Sequence, residues 1–251
     1  MTVYELYKKL CEEYPCELSC EWDNDGIMCC DDREREVKSV LLCLDVTEEA
    51  VEYARVSGCD LIVSHHPLVF RGLRAVTEEN HVARKAIKLL SDGISVFSFH
   101  TRADAAEYGV NYALAKMLGL ENAEPFGDGM GRVGYIKEKT EIEKFAQFVK
   151  EKLSSPAVSY IGDGECYRVA VLGGDGKDCI SDAIRAGADT YVSGSISYNA
   201  YIDAKEMGIN VIEAGHFHTE NPVLLQFEEA IKKQIPDVKT VKYDSYPIKH
   251  V

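Results

Sequence analysis

Short apolar runs alternate along this chain with stretches of helical periodicity. Lys38 to Leu44 is β-branched and leucine-rich, and Asp60 to Ser64 reads as a second strand. Between them, Thr47 to Val56 offers an N-cap threonine, with Val46, Ala50, Val51 and Ala54 at helical spacing. Strand, helix, strand is a βαβ unit. A further helix is predicted from about Asn80 to Leu90, with Val82, Ala83, Ala86, Ile87 and Leu90 on one face and Gly93 past its end. The strand Ile94 to Phe99 follows, then one helix near Asp104 to Leu118. This alternation implies an α/β fold with a mixed or parallel sheet covered by helices.

The second half repeats the first. Ser57-Gly-Cys-Asp-Leu-Ile-Val-Ser64 is matched by Ala186-Gly-Ala-Asp-Thr-Tyr-Val-Ser193. A strand, a turn and a helix precede each, at Val40 to Val56 and Arg168 to Ala186, and a Gly-Ile-x-Val strand follows, at Gly93 and Gly208. The pattern predicts two related α/β lobes, residues 1–125 and 165–251, packed so that equivalent loop ends meet. The connecting segment 126–164 carries the flexible stretch Gly127-Asp-Gly-Met-Gly131, a strand at Gly131 to Lys137, and a helix opened by a Thr140-Glu-Ile-Glu143 capping box.

Composition narrows the function. Net charge of −14 and the lack of basic clusters argue against nucleic-acid binding. No apolar run reaches membrane-spanning length and the amino terminus lacks a signal-peptide core, so the expectation is a soluble, cytoplasmic protein with no membrane role. Nine cysteines, seven before residue 60, contain no C-x-x-C pair and read as reduced thiols, with Cys43 and Cys59 buried. Gly173-Gly174-Asp175-Gly176 lacks the residues of a phosphate loop and reads as a tight turn, as does Trp22-Asp-Asn-Asp-Gly26.

Four of the seven histidines fall at predicted strand ends. Ser64-His65-His66-Pro67 follows one strand; His100-Thr-Arg-Ala-Asp104 and His216-Phe-His-Thr-Glu220 each follow another, and each places a carboxylate four residues after a histidine. Consecutive strand residues face opposite ways, so His65 and His66 act together only where the strand has ended, which Pro67 favours. Isolated strand-end histidines are usually solvated, and His/acid pairs at this spacing are often surface pairs, but that reading leaves the duplicated contexts unexplained. A two-metal centre needs ligands for both ions about 3.5–4 Å apart and at least one shared group. His65, His66, His100 and His216, with Asp104 and Glu220 able to span two ions, meet that count. Nitrogen and oxygen donors without thiolate suit zinc, iron, manganese or nickel alike. His81 and His250 are given no role, and His218 at most an outer or substrate contact.

Trp22-Asp-Asn-Asp-Gly26, Leu44-Asp-Val-Thr47, Ser64-His-His-Pro-Leu68, His100-Thr-x-x-Asp104 with Gly109-Val-Asn111, and Ala214-Gly-His-Phe-His-Thr-Glu220 together resemble the NIF-three-like family of dinuclear-metal-centre proteins. The resemblance implies two related lobes in one intertwined unit with the metal site at the lobe interface, two divalent ions per chain on the same six ligands, and a toroidal homohexamer. Longer members of that family carry an inserted central domain in place of 126–164. After Ser193-Gly194 this chain departs from it, reading Ser-Ile-Ser-Tyr-Asn199 where many relatives would carry a histidine.

Such proteins are commonly labelled as homologues of a second type of GTP cyclohydrolase, which points to a metal-dependent hydrolase acting on a purine nucleotide or related heterocycle. A phosphoesterase or amidohydrolase on another small molecule and a non-catalytic hexameric scaffold are the alternatives. Asp45 is a candidate for positioning water or for general acid/base work, or is simply a helix N-terminal carboxylate. Arg71 and Arg74 are candidates for holding a substrate anion; Arg102 is a weaker one, better read as solvated loop charge. The second lobe has Gly194-Ser195 where a histidine pair would fall, so an open coordination position is expected towards its Ser193 to Asn199 loop.

Overall fold

The first helix, α1 (Val3–Glu13), opens with a capping box: Thr2 Oγ1 accepts from the Glu5 N–H, and the Glu5 carboxylate accepts from the Thr2 N–H in return. The computed structural model describes residues 1–251. β1 (Gly26–Cys29), β2 (Ser39–Cys43), α2 (Glu48–Val56), β3 (Leu61–Ser64), α3 (His81–Ser91), β4 (Ser95–Ser98) and the short α4 (Thr101–Ala105) follow. β2, β3 and β4 pair in parallel and are buried along their whole length, as strands covered by helices on both faces must be. Leu41, Cys43, Ile62 and Val96 pack there with Ala50, Val51 and Ala54 of α2 and Ala86 and Leu89 of α3. β1 adds an antiparallel edge beside β4.

The chain continues through α5 (Val110–Met117), β5 (Glu121–Phe126), β6 (Gly131–Glu141), α6 (Ile142–Lys152), β7 (Ser159–Ile161), β8 (Glu165–Asp175), α7 (Ile180–Arg185), β9 (Thr190–Ser195), α8 (Tyr198–Met207), β10 (Asn210–Glu213) and α9 (His216–Glu220). These six strands form one mixed sheet in the order β5-β6-β8-β9-β10-β7, with β8, β9 and β10 parallel. Val169, Val171, Val192 and Ile212 face Leu114, Phe145 and Val149, while Ala170, Tyr191 and Val211 face Ile180, Ala183 and Ala204, so alternate residues bury both faces. Finally α10 (Val223–Gln234) leads to β11 (Lys239–Lys242), which pairs in parallel with β2 and completes the five-stranded sheet β1-β4-β3-β2-β11.

The structure therefore has two mixed sheets flanked by helices, as two related α/β lobes require. The order β2-α2-β3-α3-β4-α4 recurs as β8-α7-β9-α8-β10-α9. The repeated Gly-x-Asp has a physical basis in both copies. Gly58 and Gly187 take positive φ (66° and 77°), leaving α2 and α7 in the left-handed region that glycine enters without cost. Two residues on, Asp60 accepts from the N–H groups of Lys38 and Ser39, and Asp189 from those of Tyr167 and Arg168, fixing the start of the neighbouring strand each time.

Several sequence expectations are corrected. The compact units are Met1–Ala106 with Leu224–Pro247, and Glu107–Val223 with Ile248–Val251, not the segments 1–125, 126–164 and 165–251. The pairing of β11 with β2 draws the carboxyl-terminal stretch into the first unit, and β6 and β7 make 126–164 part of the second sheet. The single helix at 104–118 is two helices, because buried Ala106 turns extended (φ −60°, ψ 150°) after α4 and its packing overrides alanine's helical preference. Thr140 caps nothing: it pairs with Cys166 in the β6–β8 ladder, and Glu141 is the N-cap residue, without a side-chain cap. Gly173-Gly174 is an irregularity inside β8, where the register with β9 shifts, and not a turn. The stretch 193–199 is mostly regular, since β9 runs to Ser195 and Ser197 caps α8. All nine cysteines are free thiols, Cys43 and Cys59 among the buried ones. No helix is long and apolar enough to cross a membrane.

Phe227 of α10 packs against Tyr14 and Phe99, with ring centroids 5.4 and 6.1 Å away. Phe227→Ala is expected to destabilise the protein by about 3–5 kcal/mol, the usual cost of emptying a buried aromatic site, read from urea unfolding of the purified variant. A loss below about 1 kcal/mol would show that the carboxyl-terminal stretch is not integral to the first unit.

Candidate metal centre

His65, His66 and His100 are each held through Nδ1. His65 and His66 follow β3 directly, and the N–H of His66 still donates to the Leu44 carbonyl at 2.9 Å. His65 is fully buried, with Nδ1 2.9 Å from the Phe99 carbonyl oxygen. A carbonyl only accepts, so Nδ1 carries the proton and Nε2 is the lone-pair nitrogen. His66 Nδ1 lies 2.7 Å from Asp45 Oδ1, and His100 Nδ1 lies 2.8 Å from Asp23 Oδ1, which selects the same tautomer. The donor atoms of these three histidines lie within 4.8 Å of one another. Asp104, on α4, brings Oδ1 to 3.7 Å from His65 Nε2.

The turn Trp22-Asp-Asn-Asp-Gly26 secures this arrangement. Asp23 Oδ2 accepts from the Thr101 N–H (3.0 Å) and hydroxyl (2.6 Å). Burial alone would raise the Asp23 pKa, but the hydrogen bonds from His100 and Thr101 outweigh it and hold the carboxyl well below the usual carboxylate range. Asp25 Oδ2 accepts from the His100 N–H (3.2 Å) and from Arg102 Nε (2.9 Å), and its other oxygen pairs with Arg102 Nη2. Arg102 is 3% exposed. Desolvation opposes its charge, yet Asp25 alongside raises its pKa. It is thus neither solvated nor placed to meet a substrate anion: its charge is spent fixing the loop that carries His100.

In the second unit, His216 and Glu220 stand at the two ends of α9, with Nε2 and Oε2 3.0 Å apart and Glu220 buried. The two glycines of β8 make room for them. Gly174 (φ 69°) has its N–H on Thr219 Oγ1 at 3.1 Å, and a Cβ there would overlap Glu220 Oε1. The Gly173 N–H donates to Asn111 Oδ1 at 2.8 Å. Gly194, at the end of β9, is as tightly placed: a Cβ would come within 2.6 Å of Thr219 Oγ1 and 2.8 Å of the His216 Cα. A histidine at that position, the counterpart of the His65-His66 pair, has no room.

The structure thus brings His65, His66, His100 and Asp104 together in one unit and His216 and Glu220 together in the other. It places Asp45 against His66, where Ser245 Oγ also lies 3.3 Å from Asp45 Oδ2. Arg71 and Arg74 line a cavity of about 710 Å³, and Asp45 and His66 line another of about 460 Å³. Sequence reasoning missed the roles of Asp23, Asp25 and Gly174, and read Gly194 only as the place of an absent histidine, without the close packing there. The available signals were two carboxylates one residue apart in a turn and two glycines at a strand end, both of which turn chemistry explains as readily.

Parallel strands that end in imidazoles and carboxylates define the class: a two-sheet α/β protein with groups of nitrogen and oxygen donors that could hold a metal ion. The chain belongs to the Duf34/NIF3 (NGG1p interacting factor 3) family, whose model matches residues 1–248. A GTP cyclohydrolase 1 type 2 homolog of Clostridium perfringens is 34% identical over 230 residues, covering 88% of this chain and 87% of that protein. The protein NIF3 homolog of Schizosaccharomyces pombe is 32% identical over 237 residues, covering 86% and 84%. Among solved structures, a Bacillus cereus protein related to NIF3 superposes with a TM-score of 0.92 at 23% identity, over 100% of this chain and 99% of that one, a likeness of fold. Reduced HcgD from Methanocaldococcus jannaschii has a TM-score of 0.81 at 29% identity, over 96% and 97%.

Asp25→Ala strands the buried guanidinium of Arg102 and is expected to cost about 3–5 kcal/mol in urea unfolding. Asp23→Asn keeps the shape of the turn but weakens its hold on His100, and is expected to lower affinity for zinc about 10–100-fold in a chelator competition titration. Zinc affinity equal to wild type would show that the Asp23 contact does not orient a ligand.

Proposed function

We propose that this chain is a metal-dependent hydrolase with a dinuclear centre held by His65, His66, His100, Asp104, His216 and Glu220. The observation that supports it best is the common fixing of His65, His66 and His100 through Nδ1, with their donor atoms within 4.8 Å of one another. Imidazoles oriented by a carbonyl or carboxylate on the far nitrogen are the usual form of metal-ligating histidine. Bound divalent ions would supply Lewis acidity and bring the pKa of water towards neutrality. Zinc, iron, manganese and nickel all suit the donors.

The chain's own residues orient and exclude. Asp45 is assigned to fixing the tautomer of His66, its Oδ1 lying 2.7 Å from the imidazole Nδ1. Burial of His65 and Glu220 keeps water away from the inner ligands. The name GTP cyclohydrolase 1 type 2 homolog, borne by relatives such as the one from Clostridium perfringens, favours a purine nucleotide or related heterocycle as substrate. Arg71 and Arg74 are assigned to its anionic part. A homohexamer is part of this reading.

Metal analysis of the purified protein, joined to a screen of nucleotides, esters and amides with each ion, tests it. About two ions per chain are expected, with ion-dependent turnover of a nucleotide that falls at least about 100-fold in Asp104→Ala. Bound metal with no turnover of any of these substrates contradicts the hydrolase, and full metal retention by a His65→Ala, His66→Ala, Glu220→Ala variant contradicts the ligand assignment. Light scattering is expected to give the mass of a hexamer; a monomer contradicts that assembly.

A further inference from the structure

Phe70 takes part in two features that meet beside the histidines. The first is an aromatic corner. Trp22 is 64% exposed and Phe70 45% exposed, their ring centroids lie 6.2 Å apart, and each ring stands edge-on to His100 at 6.1 Å. The side-chain amide of Asn24 donates to the Val69 carbonyl, tying the turn that carries Trp22 to the residue before Phe70. Two large rings held open to solvent next to a candidate metal ligand leave apolar area that a planar ring would cover.

The second is cationic. The cavity of about 710 Å³ that Phe70 lines also receives Arg71, Arg74, His81 and Lys85, and no carboxylate lines it. In a chain of net charge −14, this gathers two guanidinium groups and an ammonium on one cavity wall, with Asp45 and Glu48 beside Lys85 on its other side. Its volume lies within the range of small-molecule sites. Lys85 is half-buried, with its ammonium 2.5 Å from the Val46 carbonyl oxygen, and it also lines the smaller cavity that contains His66. Lys85 and His66 therefore share one cavity, and Lys85 shares the other with Arg71 and Arg74.

We propose that the corner and the cavity form one binding site for a phosphorylated planar heterocycle, its ring stacked on Trp22 and Phe70 beside His100 and its phosphates held by Arg71, Arg74 and Lys85. Guanidinium forks match phosphate oxygens in pairs, and aromatic faces accept any flat ring, so the two halves recognise the two ends of a nucleotide. The proposal deepens the hydrolase reading and rests on it for placing the reacting ring at the histidines, but binding is measured without turnover.

Trp22 is the single tryptophan of the chain, so its emission reports the ring end directly. Purified protein of measured metal content is titrated with GTP, guanosine and pyrophosphate, following tryptophan emission, with calorimetry for pyrophosphate. GTP is expected to quench Trp22, pyrophosphate to displace it, and guanosine to need about tenfold or more higher concentration. An Arg71→Ala, Arg74→Ala variant should bind GTP and pyrophosphate about tenfold or more weaker and guanosine as wild type. Phe70→Ala should weaken guanosine and GTP and leave pyrophosphate unchanged. Equal GTP affinity in wild type and the double arginine variant, or GTP binding without a change in Trp22 emission, overturns the proposal. Quenching by GTP in protein that never holds metal keeps this site and removes the hydrolase; ion-dependent turnover without quenching does the reverse.

Discussion

The Nδ1 atoms of His65, His66 and His100 are each engaged by an oxygen, supplied by the Phe99 carbonyl, Asp45 and Asp23. A neutral imidazole protonated on Nδ1 has its lone pair on Nε2, so three hydrogen bonds decide which nitrogen a metal ion would meet. Phe99 supplies its carbonyl because β4 ends beside β3 in parallel register. Asp45 reaches His66 from the end of β2, and Asp23 reaches His100 from the turn before β1. The buried Arg102–Asp25 pair then locks that turn to α4. Burying such a pair gains little stability by itself, since desolvation consumes most of the attraction. Its effect is positional, because both partners carry the segments that meet at His100.

Duplication explains the second unit's contribution and its limits. α4 and α9 are equivalent five-residue helices after equivalent strands; His100 is the N-cap residue of α4 and His216 the first residue of α9, each with a carboxylate four residues on. The copies diverge at the end of the middle strand. The first has His65 and His66 there, whereas the second has Gly194 pressed against Thr219 and the backbone of His216. Close packing of α9 onto β8 and β9 and a pair of imidazoles cannot occupy the same space. The absence of a histidine pair from the second copy follows from that packing.

Much of this was legible in the sequence because the informative patterns are local. Strand-end histidines, the four-residue spacing to a carboxylate and the repeated Gly-x-Asp are all short-range signals, and the βαβ order follows from hydrophobic period. What escaped was long-range. Nothing near Asp23 announces that its partner is His100, and nothing near Gly174 announces Glu220. Arg102 read as a loop charge because its buried partner, Asp25, lies far away in sequence. The return of β11 to β2 was hidden for the same reason, since Lys-Thr-Val-Lys is too short and polar to signal a strand until its neighbour is known.

With Nδ1 engaged in each case, Nε2 is the nitrogen that His65, His66 and His100 would offer a metal ion. Anomalous diffraction from crystals of the metal-loaded protein measures this directly. Ions bonded to Nε2 of all three histidines are expected, with the Nδ1 contacts to Phe99, Asp45 and Asp23 preserved. An ion bonded through Nδ1 of any of the three, or ions bound elsewhere with these histidines unligated, would contradict it.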